Sequence, residues 1–391
     1  MSLLRTRGLA DSGKVGMVEL FFDLVFVFAV TQLSHTLLKD LSLGGALQVG
    51  MLFFTTWWIW IYTTWVTNAL DPDKIPVRIA LFVLMVVGLM MSISIPQAFG
   101  DKGWLFAAAV VAQQVGRSLF AIWAARSSAS LRRNFTRITA WTATSAIFWL
   151  LGAAAAPSQR AAIWAVAIAI ELLGPPLYFW TPFLGRSTSA DWNVEGSHMA
   201  ERSAGFVIIA LGESLLVTGA TFAELPSSPE GTGIFLLAVL GTVLMWWLYF
   251  DHGAQDGHHH ILHTKDPGRH ARNTYTYLHV PLIAGIIVNA VGDELVQAHP
   301  DHADPAAMAV IVGGPLLFLI GTMLFKWVTH QRTFPPPSHM AGVLLLAALA
   351  LLAVPLHLTP VAATAAAVAI LLVVAVWEGV ALSGARKTAG E

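Results

Sequence analysis

Runs of about twenty apolar residues recur along the whole chain, separated by short breaks rich in glycine, proline and charge. A helix of roughly 20 residues crosses the ~30 Å hydrocarbon layer of a bilayer, so each run predicts a membrane span. The spans fall at 17–38, 45–68, 77–97, 104–125, 138–156, 160–183, 199–222, 232–250, 273–296, 306–328, 340–357 and 360–382. The narrowest divisions lie at Ala155–Gln159 and His357–Pro360, where broken or re-entrant helices are the alternative to paired spans. The first run contains Glu19 and Asp23, exceeds a secretory h-region and is followed by no small-x-small cleavage site, so it is expected to remain as a span.

Composition agrees with the pattern. Charged residues make up 12% of the 391, hydrophobic residues 56%, and the mean hydropathy is +0.67; a soluble chain carries about a quarter charged residues. There is no cysteine, which excludes disulfides, thiolate chemistry and cysteine-held metals. A net charge of −1 without an aromatic-basic patch argues against a nucleic-acid partner. Orientation follows from lysine and arginine, because positive loops stay cytoplasmic. Eighteen of the 22 lie in the two tails and alternate loops; the opposite loops hold only Lys39, Lys102 and Arg160, and Arg117 lies within a span. Both termini are therefore expected in the cytoplasm.

The two halves resemble one another. "VELFFDLVFVFAVTQLSHTLL" from Val18 aligns with "AERSAGFVIIALGESLLVTGA" from Ala200, placing Glu19 opposite Glu201 and Thr31 opposite Glu213. Arg78 and Arg272 open the third and ninth spans, and Gly116–Phe120 matches Gly321–Phe325. The expected fold is thus an all-α polytopic integral membrane protein of about twelve transmembrane helices in two parallel six-helix pseudo-repeats. Its parts are a cytoplasmic tail at 1–16, repeats at 17–183 and 199–382 joined by a linker at 184–198, and a tail at 383–391. A pathway between halves follows from that architecture.

Charges inside a bilayer cost about 2.5–3.5 kcal/mol each on insertion scales, so those present mark partners, pathways or sites. At 1.5 Å per residue, Asp23, Arg117 and His279 lie roughly 10–13 Å from the cytoplasmic face. Glu171 and Glu213 are nearer the midplane, while Glu19, Glu201, Arg202 and Glu378 are near the boundary. Glu19 and Asp23, four apart, share one helix face. Arg117 needs a buried carboxylate; Asp23 is the expected partner and Glu171 the alternative. The set reads either as a packing network or as a proton or cation pathway, with Glu213 and Glu171 as its carriers if Arg117 neutralises Asp23 and with His279 as a relay.

The loop after the eighth span carries His258, His259 and His263, with the imidazoles and nearby carboxylates that a metal site needs but a spacing that specifies none. No cofactor is otherwise expected. Tryptophans on spans 2 and 8 fit interfacial belts and helix packing, and Pro175-Pro176, Pro281 and Pro315 predict kinks or interruptions. No nucleotide-binding loop, nucleophile elbow or HExxH motif is present.

With "ELFFDLVFVFA" from Glu19, Glu201-Arg202, the Leu-Gly-Glu213-Ser motif and the Trp-Trp-Leu-Tyr-Phe-Asp251 run, nearly the whole chain resembles the bacterial low-temperature-requirement protein A family. The resemblance implies a bacterial plasma-membrane protein associated with growth in the cold, which is a phenotype rather than a mechanism. The first helix is also similar to the opening helix of the lysosomal potassium and proton channel family, built from six-helix repeats. The expected function is membrane transport, as a secondary transporter or channel for protons, cations or a small solute, with the bilayer and that solute as partners. A membrane enzyme acting on a lipid or isoprenoid, a membrane-state sensor or scaffold, and a homo-oligomeric state stay open.

Overall fold

The computed structural model describes residues 2–5, 14–188, 194–226, 228–251, 272–302, 304–329 and 333–389. Among them the chain forms helices and isolated bridges but no strands. Twelve helices follow in order: α1 Met17–Lys39, α2 Leu43–Ala69, α3 Ile75–Gln97, α4 Gly103–Ala124, α5 Ala129–Ala154, α6 Pro157–Leu173, α7 Gly196–Glu224, α8 Pro229–Tyr249, α9 Arg272–Ala298, α10 Pro305–Thr329, α11 Pro337–Leu352 and α12 Pro360–Ala389.

Eight of these are long and apolar enough to cross a membrane. The other four are α2, whose 27 residues include many threonines and tryptophans, α5, which opens on Arg132, Arg133 and Arg137, and the shorter α6 and α11 with 17 and 16 residues. Local chemistry sets the ends. Ser42, Ser128 and Ser228 each accept an N–H from the first turn of the helix they precede. The sixth helix stops at Leu173, ten residues short of the expected 183, because Pro175 and Pro176 cannot continue the hydrogen-bond ladder. Beyond them Tyr178, Phe179 and Phe183 take left-handed φ values of 53°, 48° and 66°. Pro281 sits in the first regular turn of α9, after a wide π turn at Arg272–Tyr277, and Pro315 is inside α10.

The described residues fall into two compact units, one within Met1–Phe206 with Ile261–Thr276 and the other within Val207–His260 with Tyr277–Glu391. Both invert the pattern of a soluble protein. Phe21, Leu24, Val86, Leu119, Leu216, Leu344 and Val373 turn outward, whereas Asp23, Gln113, Gln114, Arg117, His279 and Asp293 are buried. That is the distribution a hydrocarbon solvent imposes.

In the first unit, Arg160 joins two helix ends. Its guanidinium donates to Ala98 and Gly100 beyond α3 and to Gly152 and Ala153 near the end of α5, at 2.6–3.4 Å. These carbonyls have no partner within their helices, so a cation on the sparsely charged side of the chain is explained as a structural cap. Arg160→Ala is expected to cost about 2–3 kcal/mol, as for charge-assisted hydrogen bonds lost from buried acceptors, read as a lowered unfolding midpoint in detergent. Arg160→Lys should recover only part of it, because one ammonium cannot fork across both pairs of carbonyls.

In the second unit, α9 and α10 meet backbone to backbone. A Cβ on Gly285 would lie 2.3 Å from Phe318 N, one on Gly314 2.5 Å from Asn289 N, and one on Gly321 2.5 Å from Leu282 N. Small residues allow such approach, and in lipid close packing is a main source of helix association.

Candidate functional site

Glu19 and Asp23 stand one turn apart on α1 and are both buried, at 0% and 1% exposure. Glu19 Oε2 accepts from the Gly16 N–H at 2.9 Å, capping the helix, and from Arg5 Nη2 at 3.2 Å. Its Oε1 lies 2.9 Å from His198 Nε2 and 3.7 Å from Arg202 Nη1. Asp23 Oδ1 accepts from Arg202 Nη2 and from Trp60 Nε1, both at 2.8 Å, and the Arg202 guanidinium lies 5.5 Å from the centre of the Trp60 ring. Asn68 Nδ2 approaches His198 Nδ1 at 3.2 Å. A neutral imidazole donating from Nε2 to Glu19 and accepting at Nδ1 from Asn68 satisfies both contacts. Two carboxylates then face two guanidiniums, Arg5 and Arg202, and the cluster is charge-balanced in an interior where an unpaired ion would be costly.

A second cluster occupies the same unit. Glu171 near the end of α6 accepts from Ser145 Oγ at 2.6 Å, Trp149 Nε1 at 3.1 Å and Gln114 Nε2 at 2.7 Å. Gln114 lies in a π turn at Ala112–Gly116 that interrupts α4, and such turns re-aim side chains by one position. Its amide oxygen accepts from Arg117 Nη2. Arg117 Nη1 donates to the Ile59 carbonyl at 3.1 Å and to Thr63 Oγ1 at 3.3 Å. The expected pairing of Arg117 with Asp23 is therefore replaced: Arg202 holds Asp23, and Arg117 reaches Glu171 through Gln114. The face of α4 that carries Arg117 turns to α2 and Gln114.

The remaining expected residues have other settings. Glu201 is exposed and accepts from the Val15 N–H at 3.1 Å. In the second unit Glu213 is buried on α7, and His279 Nε2 lies 2.8 Å from the Tyr249 hydroxyl. Asp293 is buried and accepts from Asn289 at 2.9 Å, while Lys326 and Glu378 form an ion pair of 2.6 Å between α10 and α12. His258, His259 and His263 lie outside the described residues, among which no group of three or more metal-ligating side chains assembles.

Several members of the first cluster carry no local signal. Arg5 lies in what the sequence presents as a tail, yet residues 3–5 pair with Ala69 and Asp71 after α2, which brings its guanidinium to Glu19. His198 lies in the expected linker. Gln114, missed in the sequence, lies three residues before Arg117, a spacing that could have pointed to it.

Helices with outward apolar faces and buried, mutually neutralised charges define a polytopic α-helical membrane protein. Its sequence matches the bacterial low temperature requirement A protein (LtrA) family over residues 14–376, and the chain belongs to that family. It is 45% identical over 387 residues to the uncharacterized protein RA0937 of Rhizobium meliloti (strain 1021), covering 97% of this chain and 92% of that protein. No solved structure matches it.

Proposed function

We propose that the protein is a transporter or channel for protons, cations or a small solute in the bacterial plasma membrane. In this reading twelve spans form two parallel six-helix repeats with both termini in the cytoplasm, and the cold-growth requirement in the family's name reflects the transported species. The observation that carries it is Asp23. One carboxylate oxygen is held by Arg202 and Trp60, while the other, Oδ2, is buried with no hydrogen-bond partner among the described residues. A membrane carboxylate with a fixed counter-ion and an unused acceptor is suited to take up and release a proton or cation. A purely structural ion pair would gain from satisfying both oxygens.

The test is flux in proteoliposomes under imposed pH and potassium gradients. Asp23→Asn, which keeps shape and can still accept from Trp60, is expected to lower flux at least tenfold while the protein still elutes as a folded species. Glu213→Gln and Glu171→Gln measured alongside locate the rest of the pathway. Wild-type flux no greater than in empty liposomes under either gradient, or undiminished flux in Asp23→Asn, counts against ion conduction through this site.

A further inference from the structure

The first unit contains a cavity of about 60 Å³ that borders the second cluster at Arg117 but is lined by neither Glu19, Asp23 nor Glu171. Its walls come from the C-terminal half of α2 (Tyr62, Trp65), from Arg117 and Ser118 on α4, from the start of α5, from the segment after α6 and from Arg272 and Thr276 in the π turn opening α9. Among the described residues, the charged groups in the lining are Arg117 and Arg272. Each guanidinium lies against an aromatic ring, Arg117 at 5.3 Å from the Tyr62 centroid and Arg272 at 4.9 Å from that of Tyr178.

Two polar groups are left with donor capacity. Arg117 is 2% exposed, and its Nε is buried without a hydrogen-bond partner among the described residues. The Thr276 hydroxyl oxygen accepts from Trp65 Nε1 at 3.1 Å, which leaves its proton to donate. A buried guanidinium with an unmatched N–H, lining one cavity with a second guanidinium and with no carboxylate among the described residues, favours an anion.

The wall after α6 is held in a strained form. Tyr178 and Phe179 are both left-handed, a conformation costing of order 1–3 kcal/mol for each such residue. Arg272 Nη1 donates to the Pro175 carbonyl at 2.8 Å, Ser187 Oγ to Tyr178 at 2.9 Å, and Arg137 to Leu184 at 2.6 and 3.1 Å. The same segment exposes Leu177, Trp180 and Phe183, and tryptophan is enriched at membrane–water boundaries.

We propose that this cavity is a binding site for a phosphoryl oxyanion, seated between Arg117 and Arg272 with Thr276 as a third donor. At about 10–15 Å³ for one water-sized probe, the space has room for several waters and hence for a phosphate-sized group. Both an anionic phospholipid beside the exposed aromatic segment and free phosphate offer that chemistry. The proposal stands apart from transport, since it is read by binding without flux.

The experiment uses the full-length protein reconstituted in phosphatidylcholine nanodiscs. One arm measures equilibrium binding of labelled orthophosphate; the other adds phosphatidylglycerol and counts retained lipid by native mass spectrometry against phosphatidylcholine alone. Wild type is expected to bind at least one probe saturably. Arg272→Gln should weaken binding at least tenfold and Arg272→Lys about threefold, whereas Arg126→Gln, whose guanidinium rests on Trp123 away from the cavity, should change it less than twofold. Binding of orthophosphate alone assigns a free anion, and of phosphatidylglycerol alone a lipid head group; either supports the site. Failure of folded wild type to bind either probe, unchanged binding in the Arg272 variants that fold, or an equal loss in Arg126→Gln overturns it.

Discussion

Replacing Arg202 with glutamine is expected to destabilise the protein by about 3–5 kcal/mol, the cost of removing one partner from a buried ion pair. The side chain is fully buried and binds Asp23 at 2.8 Å, and its loss leaves that carboxylate with Trp60 alone. Glu19 is less affected because Arg5 and His198 remain. Adding Asp23→Asn should therefore restore a large part of the loss, since the double variant has no charge at that pair, and the coupling energy should be in the range of about 0.5–3 kcal/mol seen for residues in contact. Arg78→Gln supplies the contrast. Its 3.3 Å pair with Asp73 is 44% and 81% exposed on its two side chains, and its loss should change stability by no more than about 1 kcal/mol. Unfolding midpoints of Arg202→Gln, Asp23→Asn, the double variant and Arg78→Gln in one detergent check all of this, and an Arg202→Gln protein as stable as Arg78→Gln would show that the cluster does not hold the fold.

Adjacent glycines on α10 are expected to respond to alanine with opposite signs. A Cβ at Gly314 would sit 2.5 Å from Asn289 N and 2.7 Å from its Cα, and backbone cannot move aside as the tip of a side chain can. Gly314→Ala must separate α9 from α10 and should cost about 1–3 kcal/mol by overpacking. Gly314→Leu should prevent the second unit from packing at all. At Gly313 nothing lies within 4 Å of the added atom. Gly313→Ala should be neutral or stabilise by up to about 1 kcal/mol, because alanine loses less backbone freedom in a helix than glycine does. Equal midpoints for Gly313→Ala and Gly314→Ala would contradict the close approach of the two helices. The comparison is internal, since composition, helix and depth are nearly the same at both positions.

What the sequence by itself determined is local. An apolar run of bilayer length has one good solution in lipid, a helix, because every backbone group must be satisfied within the segment. The expected spans at 17–38 and 306–328 therefore end within a residue of the observed helices Met17–Lys39 and Pro305–Thr329. Proline also acts locally: Pro175 and Pro176 were readable as an interruption, although the expected span ran past them to 183. That Glu19 and Asp23 share one face follows from helical spacing alone, and both were found buried together.

What only the tertiary structure decided is which faces meet. Hydropathy gives the depth of a residue in the membrane but neither the rotation of its helix nor the identity of its neighbour, so the sequence pointed to Arg117 for Asp23 and did not offer Arg202. The choice fell to Arg202, 179 residues away, while Arg117 turned toward Gln114 and Glu171. Arg5 and His198 entered the site from segments without any apolar pattern, because residues 3–5 pair beside the end of α2 and Asn68 receives the start of α7. The cavity between Arg117 and Arg272 likewise joins residues 155 positions apart in the chain. Burial of charge requires a partner, a constraint visible in any sequence, but the partner is whichever group packing brings within about 3 Å.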